Sequence, residues 1–436
     1  MAGDRLPSGW RLTTLGELGE VNRGRSRHRP RYAEHLYGGP YPFIQTGDVK
    51  SSGGRITRYQ QTYSEAGLAQ SRMWRAGTMC ITIAANIAET GILTFPACFP
   101  DSVVGFVADE SKCDVRFIEY TFRYLRQQIQ HEASGSVQDN INLATLDRLR
   151  FPLPPLPEQR AIAHILGTLG AKIELNRRMN ETLEATAQAV FKAWFVDFEP
   201  VRAKRERRWR KGESLPGLPA HLYDLFPDRL VDSEAGEIPQ GWEVGTMGKD
   251  FRITMGQSPP GSTYNEEGVG LPFYQGRVDF GFRFPVRRVF CTAPTRFAER
   301  GDTLVTVRAP VGDANMAMER CCIGRGAAAL RHLTGSRSYT YYFIRSISLV
   351  FERFEAEGTV FGAINKAGFS SIQCVVPPSE LVERFEELSS PVDDQIERNE
   401  RESRTLAVVR DALLPKLIGG EIRVKDAERF LKERGL

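Results

Sequence analysis

An α+β chain, with two β-rich modules and two long helices in a duplicated arrangement, is what this sequence predicts, and three observations predict it. The chain repeats itself over a long period: Leu6-Pro7-Ser8-Gly9-Trp10 returns as Ile238-Pro239-Gln240-Gly241-Trp242. Later motifs come in the same order at a constant interval of 223 residues, Gly135-Ser136-Val137 with Ile141-Asn142 against Gly358-Thr359-Val360 with Ile364-Asn365. Self-similarity of this kind marks two copies of one structural unit. Each Gly-Trp leads into a series of short apolar runs broken by turn residues, and each half then closes with a Pro-Pro stop and a stripe of helical spacing.

The first module covers residues 1–155. Runs such as Tyr41-Pro42-Phe43-Ile44, Met79-Cys80-Ile81-Thr82-Ile83 and Ser102-Val103-Val104-Gly105-Phe106-Val107, with Gly38-Gly39 and Gly53-Gly54 between them, read as strands. The spacing of Phe117, Tyr120, Tyr124 and Ile129 predicts a helix over 116–130. A glycine-polar loop, Ser134 to Asn142, leads to Leu153-Pro154-Pro155-Leu156-Pro157, where each proline keeps its predecessor out of the helical region. Over 156–200 the seam residues step by four and three: Ile162, Leu166, Leu169, Ile173, Asn176, Asn180, Leu183, Ala187, Val190 and Trp194. Such alternation holds one face toward a partner helix, as in a left-handed coiled coil.

A connector occupies 201–237, opening with Arg202–Lys211, where seven of ten residues are basic, and running into a Gly/Pro-rich stretch. Runs of this composition are expected to be a solvated, mobile surface, with phosphate contact as the competing role, to which the adjacent Trp209 adds weight. The second module spans 238–378, and a second helix with a tail spans 379–436. Its stripe is Phe385, Leu388, Val392, Ile396, Asn399, Ser403, Leu406, Leu413 and Leu417. Ile173 and Asn176 map onto Ile396 and Asn399 at the same interval, so the polar seam position is duplicated as well. A buried Asn lowers stability and fixes register. Pro391, inside this stripe, is expected to kink the helix or start it afresh.

Composition bounds the function. Hydrophobic content of 41% with 26% charged residues is that of an ordinary globular protein of roughly three domains. No window approaches a membrane span, and Met1-Ala2-Gly3-Asp4-Arg5 opens no apolar signal region, so a cytoplasmic location and no membrane partner are expected. Seven scattered cysteines without C-x-x-C favour buried thiols over disulfides or zinc, and six isolated histidines offer no metal motif. A net charge of +4 permits nucleic-acid binding without requiring it. Local charge is more telling: Asn22-Arg23-Gly24-Arg25-Ser26-Arg27-His28-Arg29-Pro30-Arg31 puts an arginine at every second position, which in an extended segment aims all five the same way. Guanidinium groups so spaced suit a phosphate backbone or base edges. The matching loop of the second half, Met255-Gly256-Gln257-Ser258-Pro259-Pro260, is far less basic.

Catalytic patterns are sparse. Neither the Asn/Asp-Pro-Pro-aromatic motif nor the glycine-rich cofactor loop of a methyltransferase is present. Pro100-Asp101 with Glu110-Ser111-Lys112 has the order of a nuclease metal site, but the duplicate carries Gly324, Leu333 and Gly335 there. A magnesium-dependent restriction endonuclease, or a scaffold binding RNA or protein, are the rival functions.

Together, the repeated Pro-x-Gly-Trp, the Gly-Ser/Thr-Val loops ending in Ile-Asn, Pro154-Pro155-Leu156-Pro157-Glu158-Gln159-Arg160, Phe191–Phe198 and Leu413-Leu414-Pro415-Lys416-Leu417-Ile418-Gly419-Gly420-Glu421-Ile422 resemble the DNA specificity subunits of type I restriction-modification systems. The likeness runs along nearly the whole chain, departing where Ser379-Glu380-Leu381-Val382 replaces Pro157-Glu158-Gln159-Arg160. It implies two target recognition domains related by a pseudo-two-fold repeat, each reading half of a bipartite asymmetric double-stranded DNA sequence, and two helices paired as an antiparallel coiled coil that sets the half-site spacing. It also implies a non-catalytic chain without a cofactor of its own, two methyltransferase subunits that bind S-adenosylmethionine, and restriction subunits that join them. Within that frame the DNA-binding candidates are Arg23, Arg25, Arg27, Gln45, Thr46, Lys50, Gln138 and Asn140 in the first module and Gln257, Ser258, Gln275, Arg277, Arg308 and Lys366 in the second; the helix-pairing candidates are Ile173, Asn176, Leu183, Ile396, Asn399 and Leu406. Arg and Gln can bond base edges bidentately, whereas Lys and Ser more often position the backbone.

Overall fold

A computed structural model describes residues 6–134, 141–356 and 362–433. The chain divides into two compact units, Met1–Glu174 together with Ser403–Leu436, and Leu175–Glu402. Each long helix contributes its length to both.

In the first unit, Pro7-Ser8-Gly9-Trp10 is a tight turn. Trp10 N–H donates to Pro7 O at 3.0 Å, and Gly9 takes a φ of +83°, a conformation that needs glycine. Pro239-Gln240-Gly241-Trp242 forms the same turn, with Gly241 at +84°. The turn delivers Arg11–Thr13 into an antiparallel ribbon with Phe151–Leu153; Glu243–Thr246 pairs with Gln373–Val376 in the same way. The entry and exit of each module are thereby clamped together beside a Pro-Pro stop.

Between the clamps, the first module has a five-stranded sheet in the order Gly19–Arg23, Val103–Ala108, Met79–Thr82, Thr90–Leu93, Arg55–Ile56, and a four-stranded sheet in the order Gln61–Tyr63, Tyr37–Phe43, Ala97–Cys98, Met73–Trp74. The second module repeats the plan, with Phe251–Met255, Ala327–His332, Thr303–Thr306 and Ala314–Met316 in one sheet and Leu271–Tyr274 beside Cys321–Ile323 in the other. Phe43 pairs parallel with Cys98 and Phe273 parallel with Cys322. The Ile-Asn repeat is a helix start: Asn142 caps Leu143–Arg148 by accepting from Thr145 N–H, and Asn365 caps Lys366–Ser371 by accepting from Gly368 N–H. All seven cysteines are free and buried.

The long helices are Leu156–Phe195 and Ser379–Ile418, each of 40 residues. The second starts directly after Pro378 and continues as one helix past Pro391, so it does not start afresh there. Pro391 and Glu387 lie on the exposed side, so the carbonyl that the proline leaves without an N–H faces water rather than the core. In the second unit the helices are antiparallel: Asn176 lies against Asn399, while Phe191 and Trp194 meet Phe385. In the first unit Ile162, Leu166 and Leu169 share a core with Leu406, Val409, Leu413 and Leu417. No helix of the described residues is long and apolar enough to cross a membrane.

The connector is not the mobile surface its charge suggests. Glu199–Arg205 is helical, Val201, Ala203 and Trp209 are buried in the second unit's core, and Trp209 Nε1 donates to Glu213 O at 2.8 Å. Lys204 stands 3.9 Å from the Tyr223 ring centroid. The tryptophan therefore packs inward, with its basic neighbours on the outer side.

Candidate nucleic-acid interface

In the first unit the turn Cys98–Ser102 gathers three segments. Ile44 N–H donates to Cys98 O (2.8 Å), Arg25 N–H to Phe99 O (3.0 Å) and Ile83 N–H to Ser102 O (3.0 Å). These residues are, or adjoin, Arg25, Gln45 and the loop Ala84–Glu89. Gly24 must be glycine, because a Cβ there would lie 2.3 Å from Pro100 O. Beyond it the backbone stays extended: Arg23, Arg25 and Arg27 are exposed while Gly24 and Ser26 are buried. The main chain is fixed from behind, since Ser71 Oγ donates to Arg25 O at 2.8 Å and Gln70 Oε1 accepts from the N–H groups of Arg27 (2.6 Å) and His28 (3.1 Å). Among the described residues the guanidinium groups of Arg23, Arg25 and Arg27 make no hydrogen bond or ion pair. The row ends there rather than at Arg31: Arg29 donates to the carbonyls of Ser26 and His28, and Arg31 pairs with Asp101 at 2.9 Å.

Gln45 precedes the short helix Thr46–Ser51, its N–H donating to Asp48 Oδ2 at 2.8 Å and its Nε2 to Gln61 Oε1 at 2.6 Å. Burial lifts the Asp48 carboxyl above the usual range, against the N–H from Gln45 that lowers it. Thr46 is half-buried as the first residue of this helix, and Lys50, exposed in its last turn, donates to Asn86 Oδ1 at 3.1 Å. Gln138 and Asn140 lie outside the described residues; Ile141, the next residue along, donates its N–H to Ile83 O at 3.1 Å.

The second unit repeats this hub with other side chains. Gln257 N–H donates to Ile323 O (3.0 Å), Val307 N–H to Gly326 O (3.0 Å) and Gly324 N–H to Tyr274 O (2.8 Å). Gly256 answers to Gly24, a Cβ there falling 2.1 Å from Gly324 O. Gln257 thus stands where Arg25 stands. It is exposed, whereas Ser258 is half-buried and accepts from Arg325 N–H at 3.2 Å, which makes it a latch of the turn. Gln275 is exposed, with its N–H on Asp279 Oδ2 at 2.6 Å, and Arg277 is ion-paired with Asp313. Arg308 is exposed, bridges Ala363 through the backbone, and has no side-chain partner among the described residues; Lys366 is exposed at the start of its short helix.

A family model described as the type I restriction modification DNA specificity domain matches residues 7–185. A relative described as the MjaX specificity subunit of a type I restriction enzyme, from Methanocaldococcus jannaschii, is 32% identical over 326 residues, covering 73% of this chain and 70% of the relative. The chain belongs to the type I restriction enzyme specificity subunits. The MjaIX specificity subunit of the same organism is 23% identical across 97% of this chain and 95% of its own length. The fold is shared with the crystal structure of a type I restriction-modification S subunit from M. genitalium, at a TM-score of 0.59 and 16% identity over 96% of this chain and 98% of that one.

As a specificity subunit the chain is a recognition component rather than a catalyst, and the rival nuclease site is not assembled in it. The strand Val103–Ala108 stands between Asp101 and Glu110, a rise of about 20 Å. Asp101 is engaged by Arg31, and Lys112 by Asp109 at 3.2 Å. Two elements of this specificity subunit escaped sequence reasoning. The loop Ala84–Glu89 corresponds to Arg308–Asp313: Thr82 bonds Asn86 O as Thr306 bonds Pro310 O, and Glu89 and Asp313 each donate an N–H back to that threonine. The spaced pairs Thr82/Glu89 and Thr306/Asp313 were the available signal. Arg283 had none.

Proposed function

We propose that this specificity subunit reads a bipartite, asymmetric duplex DNA target, one half by each module (1–155 and 238–378), and directs adenine methylation or restriction by partner subunits. The observation that carries this is the duplicated hub: the same hydrogen bonds hold Arg25 in one module and Gln257 in the other, so the frame is kept while the reading group changes. Arg25 suits a guanine edge or phosphate, and Gln257 an adenine edge. Arg23, Arg27, Lys50 and Lys366 would neutralise phosphates, while Gln45, Gln275, Arg277 and Arg308 flank the base-reading positions; Thr46 and Ser258 support them. Gln138 and Asn140 would contact DNA as well in this reading.

The helix pair acts as the ruler between half-sites and as the seat for two methyltransferase subunits, with restriction subunits joining that assembly. S-adenosylmethionine, bound by the methyltransferase, supplies the methyl group; the role of this chain is to select and orient the duplex. In a methyltransferase-bound complex, Arg25→Ala is expected to weaken duplex binding by about tenfold, lower the salt slope by about one, and relax specificity in one half-site only. Gln257→Ala is expected to relax only the other half. Variants that leave both halves unchanged, or loosen both equally, would refute the assignment.

A further inference from the structure

Arg283 is completely buried, an uncommon place for a guanidinium because burying a charge is tolerated only when it is paired and hydrogen-bonded. Its Nη1 donates to Glu184 Oε2 at 2.5 Å, its Nη2 pairs with Asp393, and its plane lies 3.5 Å from the Tyr341 ring centroid. Glu184 belongs to the first long helix and Asp393 to the second, so a single cation from the recognition module ties both helices. Asp393 also accepts from Ser338 Oγ at 2.6 Å and Tyr342 OH at 3.4 Å.

The other side of Arg283 leads to the reading surface. Met316 N–H donates to Arg283 O at 2.8 Å, and Gly281 and Asn315 exchange hydrogen bonds at 3.0 and 3.1 Å. Asp313, two residues before Asn315, pairs with Arg277, and Asp279 holds the N–H of Gln275. Contact is continuous from the two helices, through Arg283, to Gln275 and Arg277. Two partly buried ion pairs border the junction, Arg300 with Glu397 at 2.9 Å and Arg337 with Asp394 at 2.6 Å.

An apolar junction tolerates small slips, whereas displacement of the buried arginine leaves its own charge and that of Asp393 without their ion-pair partner, and Glu184 with only Arg345 at 3.6 Å; such a network therefore selects one geometry. The geometry points to Arg283 as a positioning residue that fixes the seat of the second recognition module on the helix pair within Leu175–Glu402, and with it the distance at which the second half-site is read. This rests on the bipartite reading above.

The test uses the methyltransferase-bound complex and duplexes carrying the motif found by mapping its methylated adenines, with the natural spacer or one base pair more or less. Wild type is expected to prefer the natural spacer by about tenfold or more. Arg283→Met combined with Glu184→Gln and Asp393→Asn removes the three buried charges together and leaves Arg345, which Glu184 meets at 3.6 Å, to the water it already touches. It is expected to fold, as judged by circular dichroism, and to bind all three spacers within about twofold. Arg283→Lys, which keeps the charge but not the fork, is the second variant and is expected to relax the preference in the same direction. Folded variants that keep the wild-type preference, or that lose affinity equally on every spacer, would overturn the positioning role. A wild-type complex indifferent to spacer would instead overturn the bipartite reading beneath it.

Discussion

His332 ends the strand Ala327–His332 with its ring buried against Phe251 and Tyr339. Thr334 N–H donates to His332 Nδ1 at 3.3 Å, which requires the lone pair of the neutral ring. Burial lowers its pKa from 6.5 to about 4. For a base whose folded value is depressed, stability is complete above the unfolded value and is lost as pH falls from there through the folded one. The second unit is therefore expected to lose about 2 kcal/mol between about pH 7 and pH 5, read by urea unfolding, and His332→Phe to flatten that dependence; an equally steep slope in the variant would contradict the assignment. The seam asparagines make a separate prediction. Asn176 Nδ2 donates to Glu402 Oε2 at 2.7 Å and Asn399 Nδ2 to Asn180 Oδ1 at 2.8 Å. Asn399→Leu alone strands buried partners and is expected to cost about 1–3 kcal/mol, whereas joint replacement of Asn176, Asn180 and Asn399 by Leu is expected to recover most of it. Costs that simply add would show that the network does not act as a unit.

At the scale of elements, the helices show how far periodicity reaches. Asn176, Ile396, Asn399 and Leu406 are buried as the four–three stepping implies, while Ile173 and Leu183 are half-buried. The stepping then drifts, since a straight helix turns every 3.6 residues and not every 3.5: Glu184 is buried beyond Leu183, Phe191 beyond Val190, and Ser389 in place of Leu388, which is 39% exposed. No apolar stripe could announce a buried glutamate, because its place depends on an arginine 99 residues away. Helix length has a direct consequence if the pair is a ruler. A heptad inserted after Glu174 and another after Glu402 keeps the Asn176–Asn399 contact in one unit and the Leu406 core in the other. The preferred spacer is expected to lengthen by about 10 Å, or about three base pairs. An unchanged spacer in the methylation motif would refute the ruler.

For the whole molecule, the repeat was the most legible feature, and its motifs proved to be joints: Pro-x-Gly-Trp a glycine-dependent turn, Ile-Asn a helix cap, Pro-Pro a helix start. Local chemistry dictates such joints, so they can be read from a few neighbouring residues. The arginine row was legible for the same reason as far as Arg27; its loss at Arg31 depends on Asp101, a tertiary partner. The burial of the connector and of Arg283 is not legible locally, because distant aromatic and acidic residues decide it. The central claim, two different readers in one frame, is tested most directly by exchanging the residues around one hub turn, placing Met255–Ser258 in the position of Arg23–Ser26, and mapping methylated adenines in cells that carry the methyltransferase partner. The expected result is a split motif in wild type and a change confined to one half, at the same spacing, in the exchange. An unsplit motif, or a change in both halves, would contradict it.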